Sequence, residues 1–123
     1  MQKMHILVVD DNVDTATTTA MLLEMYGHTV SVEHSGENAL ATARSSPPNA
    51  LLLDIGLPGI DGFELARQIR AAPATAKALL VAMTGYSRAQ DRKKSLEAGF
   101  NHHLEKPVDI DTLLALLNAR SEP

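Results

Sequence analysis

Short runs of apolar residues alternate along this chain with longer stretches in which apolar positions recur every three or four residues. The short runs are bounded mostly by polar or turn-forming residues, a pattern typical of strands. One of them, Thr29–Glu33, alternates apolar and polar positions with a period of two. The predicted strands are His5–Val9, Thr29–Glu33, Ala50–Leu53, Ala78–Met83 and His102–Leu104.

The longer stretches predict amphipathic helices. The first ends before Gly27, which suits the left-handed position that follows many helices, and Asn12 or Asp11 is expected to cap its start. Asp109 is expected to cap the last helix, and the tail Ser121–Pro123 is expected to fray. The predicted helices are Val13–Tyr26, Gly36–Ser45, Asp61–Ala72, Ser87–Ala98 and Asp109–Ala119.

Regular alternation of strand and helix predicts an α/β fold with parallel strands joined by right-handed crossovers. Strands as apolar as these are expected to be covered by helices on both faces of the sheet. We therefore predict a doubly wound, five-stranded parallel sheet with the strand order 2-1-3-4-5. The 123 residues fit one domain over 1–123, with no length left for a second one.

Composition narrows the possible functions. The chain has no cysteine, which excludes disulfides, thiolate metal sites and cysteine nucleophiles. No apolar run approaches the roughly 20 residues that span a bilayer, and the start does not resemble a signal peptide. A net charge of −4 and only four aromatic residues argue against nucleic-acid binding. We expect a cytoplasmic protein with no membrane span and no nucleic-acid partner.

Polar residues follow four of the five predicted strands, where the sheet would present its carboxyl edge. Ligands of doubly wound sheets bind outside this edge, at the point where the strand order reverses. Taken singly, each acid could be a helix cap, the lysine a surface charge and the threonine a turn residue. Their joint occurrence favours a site. The residues are Asp10 and Asp11 after the first strand, Asp54 after the third, Thr84 after the fourth and Lys106 after the fifth.

The residue types at this edge favour phosphoryl chemistry. Three crowded carboxylates repel one another, and a hard divalent cation such as Mg²⁺ or Mn²⁺ relieves that repulsion. A lysine and a hydroxyl add further partners for phosphoryl oxygens. At this stage Asp54 is either a metal ligand only or a carboxylate that attacks phosphorus.

Four motifs resemble the receiver domains of bacterial two-component signalling, and the resemblance covers essentially the whole chain. It is closest to receivers attached to hybrid sensor histidine kinases, and it implies a flavodoxin-like fold. The motifs are VVDDN at Val8–Asn12, LLLDIGLPGIDGFEL at Leu51–Leu65, MTGY at Met83–Tyr86 and EKPVD at Glu105–Asp109.

The resemblance implies a role for each acid of the site. Asp54 corresponds to the phosphoacceptor aspartate, and Asp11 to the direct ligand of Mg²⁺. Asp10 lies nearby, in contact with the metal through water. The backbone carbonyl of Gly56 completes the protein ligands, together with Asp54 itself.

The resemblance also implies roles for the remaining polar residues. Lys106 pairs with Asp54 and then with the phosphoryl group, and Thr84 donates its hydroxyl to a phosphoryl oxygen. A cis peptide bond between Lys106 and Pro107 aims the lysine into the site. Thr84 then moves and acts as a switch.

The implied function is regulatory rather than enzymatic. A sensor histidine kinase or a histidine phosphotransfer domain supplies the phosphoryl group, and the surface around helix 4, strand 5 and helix 5 changes. A downstream protein or a neighbouring domain reads that change. The resemblance implies a monomer or a weak dimer.

Two sites depart from the family pattern. Family members often carry Tyr or Phe three residues before the lysine, where this chain has His103, so His103 is the second candidate switch residue. Its charge could make the output depend on pH. The paired His102 and His103 could also bind metal, but adjacent strand residues face opposite sides. Gly56 and Tyr86 flank the acceptor and are expected to tune the access of water.

Two surfaces remain open to more than one interpretation. The fourth helix is basic, through Arg88, Arg92, Lys93 and Lys94, and is either a solvated face or a docking patch for an acidic partner. The first helix carries apolar side chains that are either core or a docking face for a histidine-bearing helical domain. They are Met21, Leu22 and Met25.

Other function classes fit less well. Aspartyl-nucleophile phosphatases need a D-x-D arrangement after the first strand, which Asp10, Asp11 and Asn12 do not supply. A flavin-binding module of the same strand order needs a glycine- and hydroxyl-rich phosphate loop after the first strand. The acidic sequence DDNVD at Asp10–Asp14 is the electrostatic opposite of such a loop. A receiver-like module that works without phosphorylation stays open as an alternative, although the full set of polar residues argues against it.

Overall fold

The computed structural model describes residues 3–57, 59–85 and 89–121. Within these ranges five strands alternate with five helices, as the sequence predicts. Their bounds are β1 His5–Val9, α1 Val13–Met25, β2 Thr29–Glu33, α2 Gly36–Ser45, β3 Ala50–Asp54, α3 Gly62–Ala71, β4 Leu79–Thr84, α4 Ala89–Ala98, β5 His102–Glu105 and α5 Ile110–Ser121.

The strands form one parallel sheet in the order β2-β1-β3-β4-β5, which confirms the predicted topology. Val9 pairs with Glu33 of β2 and with Leu53 of β3, so β1 lies between the two. Asp54 pairs with Met83 of β4. This register brings the carboxyl ends of β1, β3 and β4 to one edge, which is the edge that carries the site.

Helices cover both faces of the sheet, as the apolar strands require. Neighbouring residues of β3 point to opposite faces. Leu51 packs in a core with α2, α3 and α4, whereas Leu52 packs in a second core with α1 and α5. Both leucines are fully buried. The central strands therefore belong to two cores at once, and their backbone positions are fixed from both sides.

Polar side chains cap the helices. Asn12, rather than Asp11, caps α1 by accepting a hydrogen bond from the amide of Thr15 at 3.0 Å. Asp11 is thereby left available at the edge of the sheet. Asp109 accepts from the amide of Thr112 at 3.0 Å, as predicted for the start of α5. Four helices have a described cap of this kind, namely Asn12, Ser35, Asp61 and Asp109.

Element boundaries differ from the sequence expectations by one or two residues. Asp54 and Thr84 are the last residues of β3 and β4 rather than the residues that follow them. The helix α5 extends to Ser121, which the sequence places in the tail. Tyr86, Ser87 and Arg88, with the predicted start of the fourth helix, lie outside the described residues, as do 122 and 123. No described helix is both long and apolar enough to cross a membrane.

Candidate functional site

Three carboxylates converge at the carboxyl edge of the sheet. One oxygen of each of Asp10, Asp11 and Asp54 lies within 4.8 Å of the others. Asp10 is fully buried, Asp54 is partly buried and Asp11 is exposed. In the described residues this is the one group of three or more acidic or histidine side chains that is close enough to hold a metal ion. The predicted convergence is present.

Lys106 joins two of these carboxylates. Its Nζ donates to Asp10 Oδ2 at 2.7 Å and to Asp54 Oδ2 at 3.1 Å. Burial by itself would lower the pKa of Lys106, but the hydrogen bonds and the charges of Asp10 and Asp54 outweigh it and raise the pKa above its ordinary value. The lysine is therefore a cation at neutral pH.

The charges of the site leave room for a divalent cation. One ammonium group faces three carboxylates, so two negative charges remain uncompensated within a few ångströms. The donor atoms are all oxygen, which is what Mg²⁺ and Mn²⁺ prefer. The residues present thus fit the metal that the sequence predicts, with Asp11 as the most accessible ligand.

Backbone amides hold the two inner carboxylates in place. Asp54 Oδ1 accepts a hydrogen bond from the amide of Gly56 at 2.9 Å, and Asp10 Oδ1 accepts one from the amide of Asn12 at 2.9 Å. Both carboxylates are thus engaged at both oxygens, counting Lys106. Gly56 lies beside Asp54, and its carbonyl as a metal ligand stays a prediction.

The ends of β4 and β5 are tied together next to the site. Thr84 is buried, and its carbonyl oxygen accepts a hydrogen bond from the amide of Lys106 at 2.6 Å. The peptide bond between Lys106 and Pro107 is cis, as the resemblance implies. The backbone of Thr84 and that of Lys106 are therefore fixed relative to each other.

The histidine pair of β5 takes no part in a metal site among the described residues. Nδ1 of His103 lies 3.1 Å from the hydroxyl of Ser95 on α4, and Ser95 is almost completely buried. His103 therefore links β5 to α4 by a polar contact at the position where the resemblance implies an aromatic ring.

A cavity of about 520 Å³ lies between α1 and the segment after β5, next to Lys106. Its walls include Thr18 and Leu22 of α1 and Pro107 and Val108 on the other side. On the same helix Met21 is 60 % exposed and Met25 is 78 % exposed. The core interpretation is therefore wrong for Met21 and Met25, Leu22 is half-buried, and the docking face for a histidine-bearing domain stays a prediction.

Of the four basic residues assigned from the sequence to the fourth helix, the structure describes three. Arg92, Lys93 and Lys94 are exposed, as both interpretations of the fourth helix require. Arg88 and Tyr86 lie outside the described residues, so their predicted roles stay predictions.

Two contacts of Asp10 could not be predicted from the sequence. Lys106 binds Asp10 as well as Asp54, although β1 and β5 are not neighbours in the sheet. His34, which follows β2, places its Nδ1 2.9 Å from the carbonyl oxygen of Asp10. A lone histidine after a strand carries no sequence signal for such a contact.

Comparison with known proteins agrees with this site and fold. Residues 6–118 match the response regulator receiver domain. The chain belongs to this family, whose members are the receivers of two-component systems and act with histidine kinases or phosphotransfer proteins. Among curated relatives, an uncharacterised 14.6 kDa protein of Leptolyngbya boryana is 38 % identical over 117 residues, which are 95 % of this chain and 89 % of that protein.

Three further similar proteins are informative about chain length and about a bound metal ion. Protein PilH of Pseudomonas aeruginosa is 33 % identical over 94 % of this chain and 95 % of its own length. The chain spans about half the length of other curated relatives, such as the response regulator MprA of Mycobacterium ulcerans. The receiver domain of a sensor histidine kinase from Pseudomonas aeruginosa, solved with a magnesium ion in its active site cleft, is 30 % identical. It matches 96 % of this chain and 97 % of that one, with a TM-score of 0.87.

Proposed function

We propose that this chain is a phosphoacceptor switch that takes a phosphoryl group from a partner's phosphohistidine onto Asp54, with Mg²⁺ or Mn²⁺ as cofactor. The observation that carries the proposal is the position of Lys106 Nζ between Asp10 and Asp54, with Asp11 in the same cluster. A carboxylate next to a fixed cation and two further metal-ligand oxygens has the partners that phosphoryl transfer needs.

The proposed step is an in-line displacement at phosphorus. A carboxylate oxygen of Asp54 forms a bond to phosphorus while the bond from phosphorus to the partner's histidine nitrogen breaks. The nitrogen keeps the electron pair and takes a proton from water, and Asp54 becomes an acyl phosphate. Asp10, Asp11, Asp54 and the Gly56 carbonyl would hold the metal ion, which would supply positive charge to the phosphoryl oxygens.

Lys106 and Thr84 stabilise the product in this proposal. The lysine already contacts Asp54 at 3.1 Å, so a small movement brings its ammonium group to a phosphoryl oxygen. Thr84 donates its hydroxyl to another oxygen, and its movement is the first part of the switch. Hydrolysis of the acyl phosphate then restores the starting state. The chain thus catalyses only its own phosphorylation and dephosphorylation.

The donor is proposed to dock in the cavity beside Lys106. The cavity is open next to the acceptor, and α1 contributes small and apolar side chains to its wall, including Thr18 and Leu22. The exposed Met21 and Met25 extend the apolar surface along the same helix. A helix that carries a phosphohistidine, from a histidine kinase or a phosphotransfer domain, fits such a groove.

The response is proposed to pass through β5 to α4. The strand β5 pairs with β4, so a change at the end of β4 moves β5. His103 on β5 is hydrogen-bonded to Ser95 on α4, so this movement also displaces α4. The surface around α4, β5 and α5 then changes, and a downstream protein or a neighbouring domain reads it. In this proposal a polar link takes the place of the aromatic switch residue that the family resemblance implies.

Phosphorylation is tested by incubating the chain with acetyl phosphate and Mg²⁺ and weighing it by mass spectrometry. We expect one phosphoryl adduct on the wild type, none on Asp54→Asn, and an unchanged adduct on Asp61→Asn, because asparagine also caps α3. No adduct on the wild type would overturn the proposal and leave the phosphorylation-independent module.

The switch is tested separately by NMR spectra of the phosphorylated chain. We expect phosphorylation to shift the amide signals of α4 and β5 in the wild type, and Ser95→Ala and His103→Ala to reduce the shifts in α4 while the adduct still forms. If both variants show the full set of α4 shifts, the link from Ser95 to His103 does not carry the response.

A further inference from the structure

We infer that His34 is a positioning residue for the metal site, acting through the peptide bond between Asp10 and Asp11. His34 lies directly after β2 and is not one of the acids that would hold the metal. Its Nδ1 is 2.9 Å from the carbonyl oxygen of Asp10. This inference rests on the metal-dependent function proposed above.

The chemistry of the contact fixes the state of the imidazole. A carbonyl oxygen only accepts hydrogen bonds, so Nδ1 of His34 must carry the hydrogen and donate it. The amide of Asp10 donates in turn to the carbonyl of Glu33 at 3.1 Å, one residue before His34. The two contacts join Asp10, directly after β1, to the end of β2 through both its amide and its carbonyl group.

The contact between His34 and the Asp10 carbonyl acts on Asp11, the metal-binding acid whose side chain is otherwise least constrained. The Asp10 carbonyl belongs to the peptide plane that leads into Asp11, so holding that carbonyl fixes the backbone from which the Asp11 side chain departs. Asp11 is exposed, and within residues 3–57, 59–85 and 89–121 no hydrogen bond to its carboxylate is found. Its direction therefore depends on this backbone plane more than on neighbouring side chains.

Asp10 itself has other supports. It is fully buried, and its carboxylate accepts from Lys106 and from the amide of Asn12. Loss of the His34 contact should therefore leave Asp10 and the fold in place and loosen mainly Asp11. Ligand orientation by outer contacts of this kind is a general feature of metal sites.

The test compares Mg²⁺ binding by calorimetry in the wild type and three variants. His34→Ala removes the donor. His34→Asn restores it, because the asparagine Nδ2 lies as many bonds from Cα as the histidine Nδ1. His5→Ala is the matched control, since His5 also links β1 to β2, through Ser31 Oγ at 3.0 Å, but at the opposite end of the strands.

We expect His34→Ala to weaken Mg²⁺ binding by roughly three- to tenfold, the effect of losing one hydrogen bond. His34→Asn should stay within about twofold of the wild type, and so should His5→Ala. The Mg²⁺ concentration for half-maximal phosphorylation by acetyl phosphate should rise in His34→Ala by the same factor, while the rate at saturating Mg²⁺ is kept. A purely structural role would lower the melting temperature in EDTA and leave Mg²⁺ affinity unchanged.

Three results overturn the inference: unchanged Mg²⁺ affinity in His34→Ala, no recovery in His34→Asn, or an equal loss in His5→Ala. A wild type that binds no Mg²⁺ overturns both this inference and the proposed cofactor. A wild type that binds Mg²⁺ but is not phosphorylated at Asp54 overturns only the proposed function, and the binding comparison still decides the role of His34.

Discussion

At the scale of single residues, the site places three carboxylates around the ammonium group of Lys106. Lys106 contacts Asp10 and Asp54, so Asp11 is the acid without that compensation. Carboxylate oxygens of Asp10 and Asp54 lie within 4.8 Å of it, and like charges at that distance repel one another. We therefore expect a local electrostatic cost at Asp11 when no cation is bound.

Replacing Asp11 should expose this cost. In EDTA, Asp11→Asn is expected to increase the free energy of unfolding by roughly 1 kcal/mol, because it removes like-charge repulsion over a few ångströms. Added Mg²⁺ should stabilise the wild type and not the variant. Thermal denaturation with and without Mg²⁺ measures both effects.

The neighbouring Asp14→Asn is the control for that experiment. Asp14 is an exposed acid in the first turn of α1, where a negative charge is favourable, so its loss should lower stability slightly. If Asp11→Asn also lowers stability in EDTA, repulsion within the cluster is not the dominant effect.

His28 should make stability depend on pH far from the site. It is buried in the turn before β2, and its Nδ1 accepts a hydrogen bond from the amide of Met4 at 3.2 Å. Burial lowers the pKa of His28 below the ordinary value of 6.5. The unfolded chain therefore binds a proton first as the pH falls, and the free energy of unfolding decreases below about pH 6.5.

The prediction is checked by urea unfolding between about pH 7.5 and pH 5.5, where His28 is the group whose lowered pKa should contribute the slope. His28→Gln keeps a polar acceptor but does not titrate, so its stability should fall less steeply with acid. A variant as acid-sensitive as the wild type would assign the slope to other groups.

The sequence located the residues of the site better than it located their contacts. The carboxyl ends of parallel strands must share an edge, and Asp10, Asp11, Asp54 and Lys106 all lie at or just after such ends. The bond from Lys106 to Asp10 depends instead on how far a long side chain reaches across β4 and β3. That distance follows from sheet twist and register, which local patterns do not encode.

At the scale of elements, Arg70 holds the ends of three segments together at the edge opposite the site. From α3 its Nε donates to the carbonyl of Gly99 at 2.9 Å, and its Nη2 donates to Asn101 Oδ1 at 2.7 Å. Its Nη1 donates to the carbonyl of Ala76 at 3.0 Å. The end of α4 and the approaches to β4 and β5 are thus fixed to α3.

Gly99 makes room for this arginine, and a pair of glycine variants tests that. Gly27 and Gly99 both have positive φ, at 93° and 109°, so alanine is strained at either position. A Cβ at Gly27 would meet nothing within 4 Å, whereas one at Gly99 would lie 2.7 Å from Arg70 Cγ. Gly27→Ala should cost roughly 1–2 kcal/mol of stability.

Gly99→Ala should cost about 1 kcal/mol more than Gly27→Ala, because Arg70 must move and give up hydrogen bonds to carbonyls. Chemical denaturation of both variants measures the difference. Equal losses would mean that the arginine adjusts freely and that the Arg70 contacts contribute little.

The helices and strands were predictable because their apolar patterns are strong, but the residues at which they begin and end were not. The run of threonines at 17–19 lowers the helix propensity of α1, yet the helix forms because Ala16, Ala20 and Leu23 are buried on one side of it. Asp61 was assigned to the helix that it in fact caps, whereas the predicted cap Asp109 was confirmed. A cap and a first helical residue differ in backbone conformation, which residue type alone does not fix.

At the scale of the whole molecule, the two cores share the backbone of the same strands. Leu51 and Leu52 are adjacent in β3 and belong to opposite cores. Because each strand residue is fixed by its neighbours, loss of either core should unfold both. The strand order itself was predictable from alternation, right-handed crossovers and the family motifs, since few topologies satisfy all three.

Leu51→Ala and Leu52→Ala should each lower the free energy of unfolding by roughly 2 to 5 kcal/mol, because each leaves a cavity in a fully buried position. Both variants should still unfold in a single transition by circular dichroism and by amide exchange. Two separate transitions in either variant would show that the cores are independent.

The lysine that completes the site lies 96 positions after the aspartate it binds. A nascent chain that ends after β4 therefore contains every acid of the site but not Lys106. The same is true of a chain clipped before β5. Because Asp54 then stands without Lys106, the phosphoryl transfer proposed above should fail in any such shortened copy.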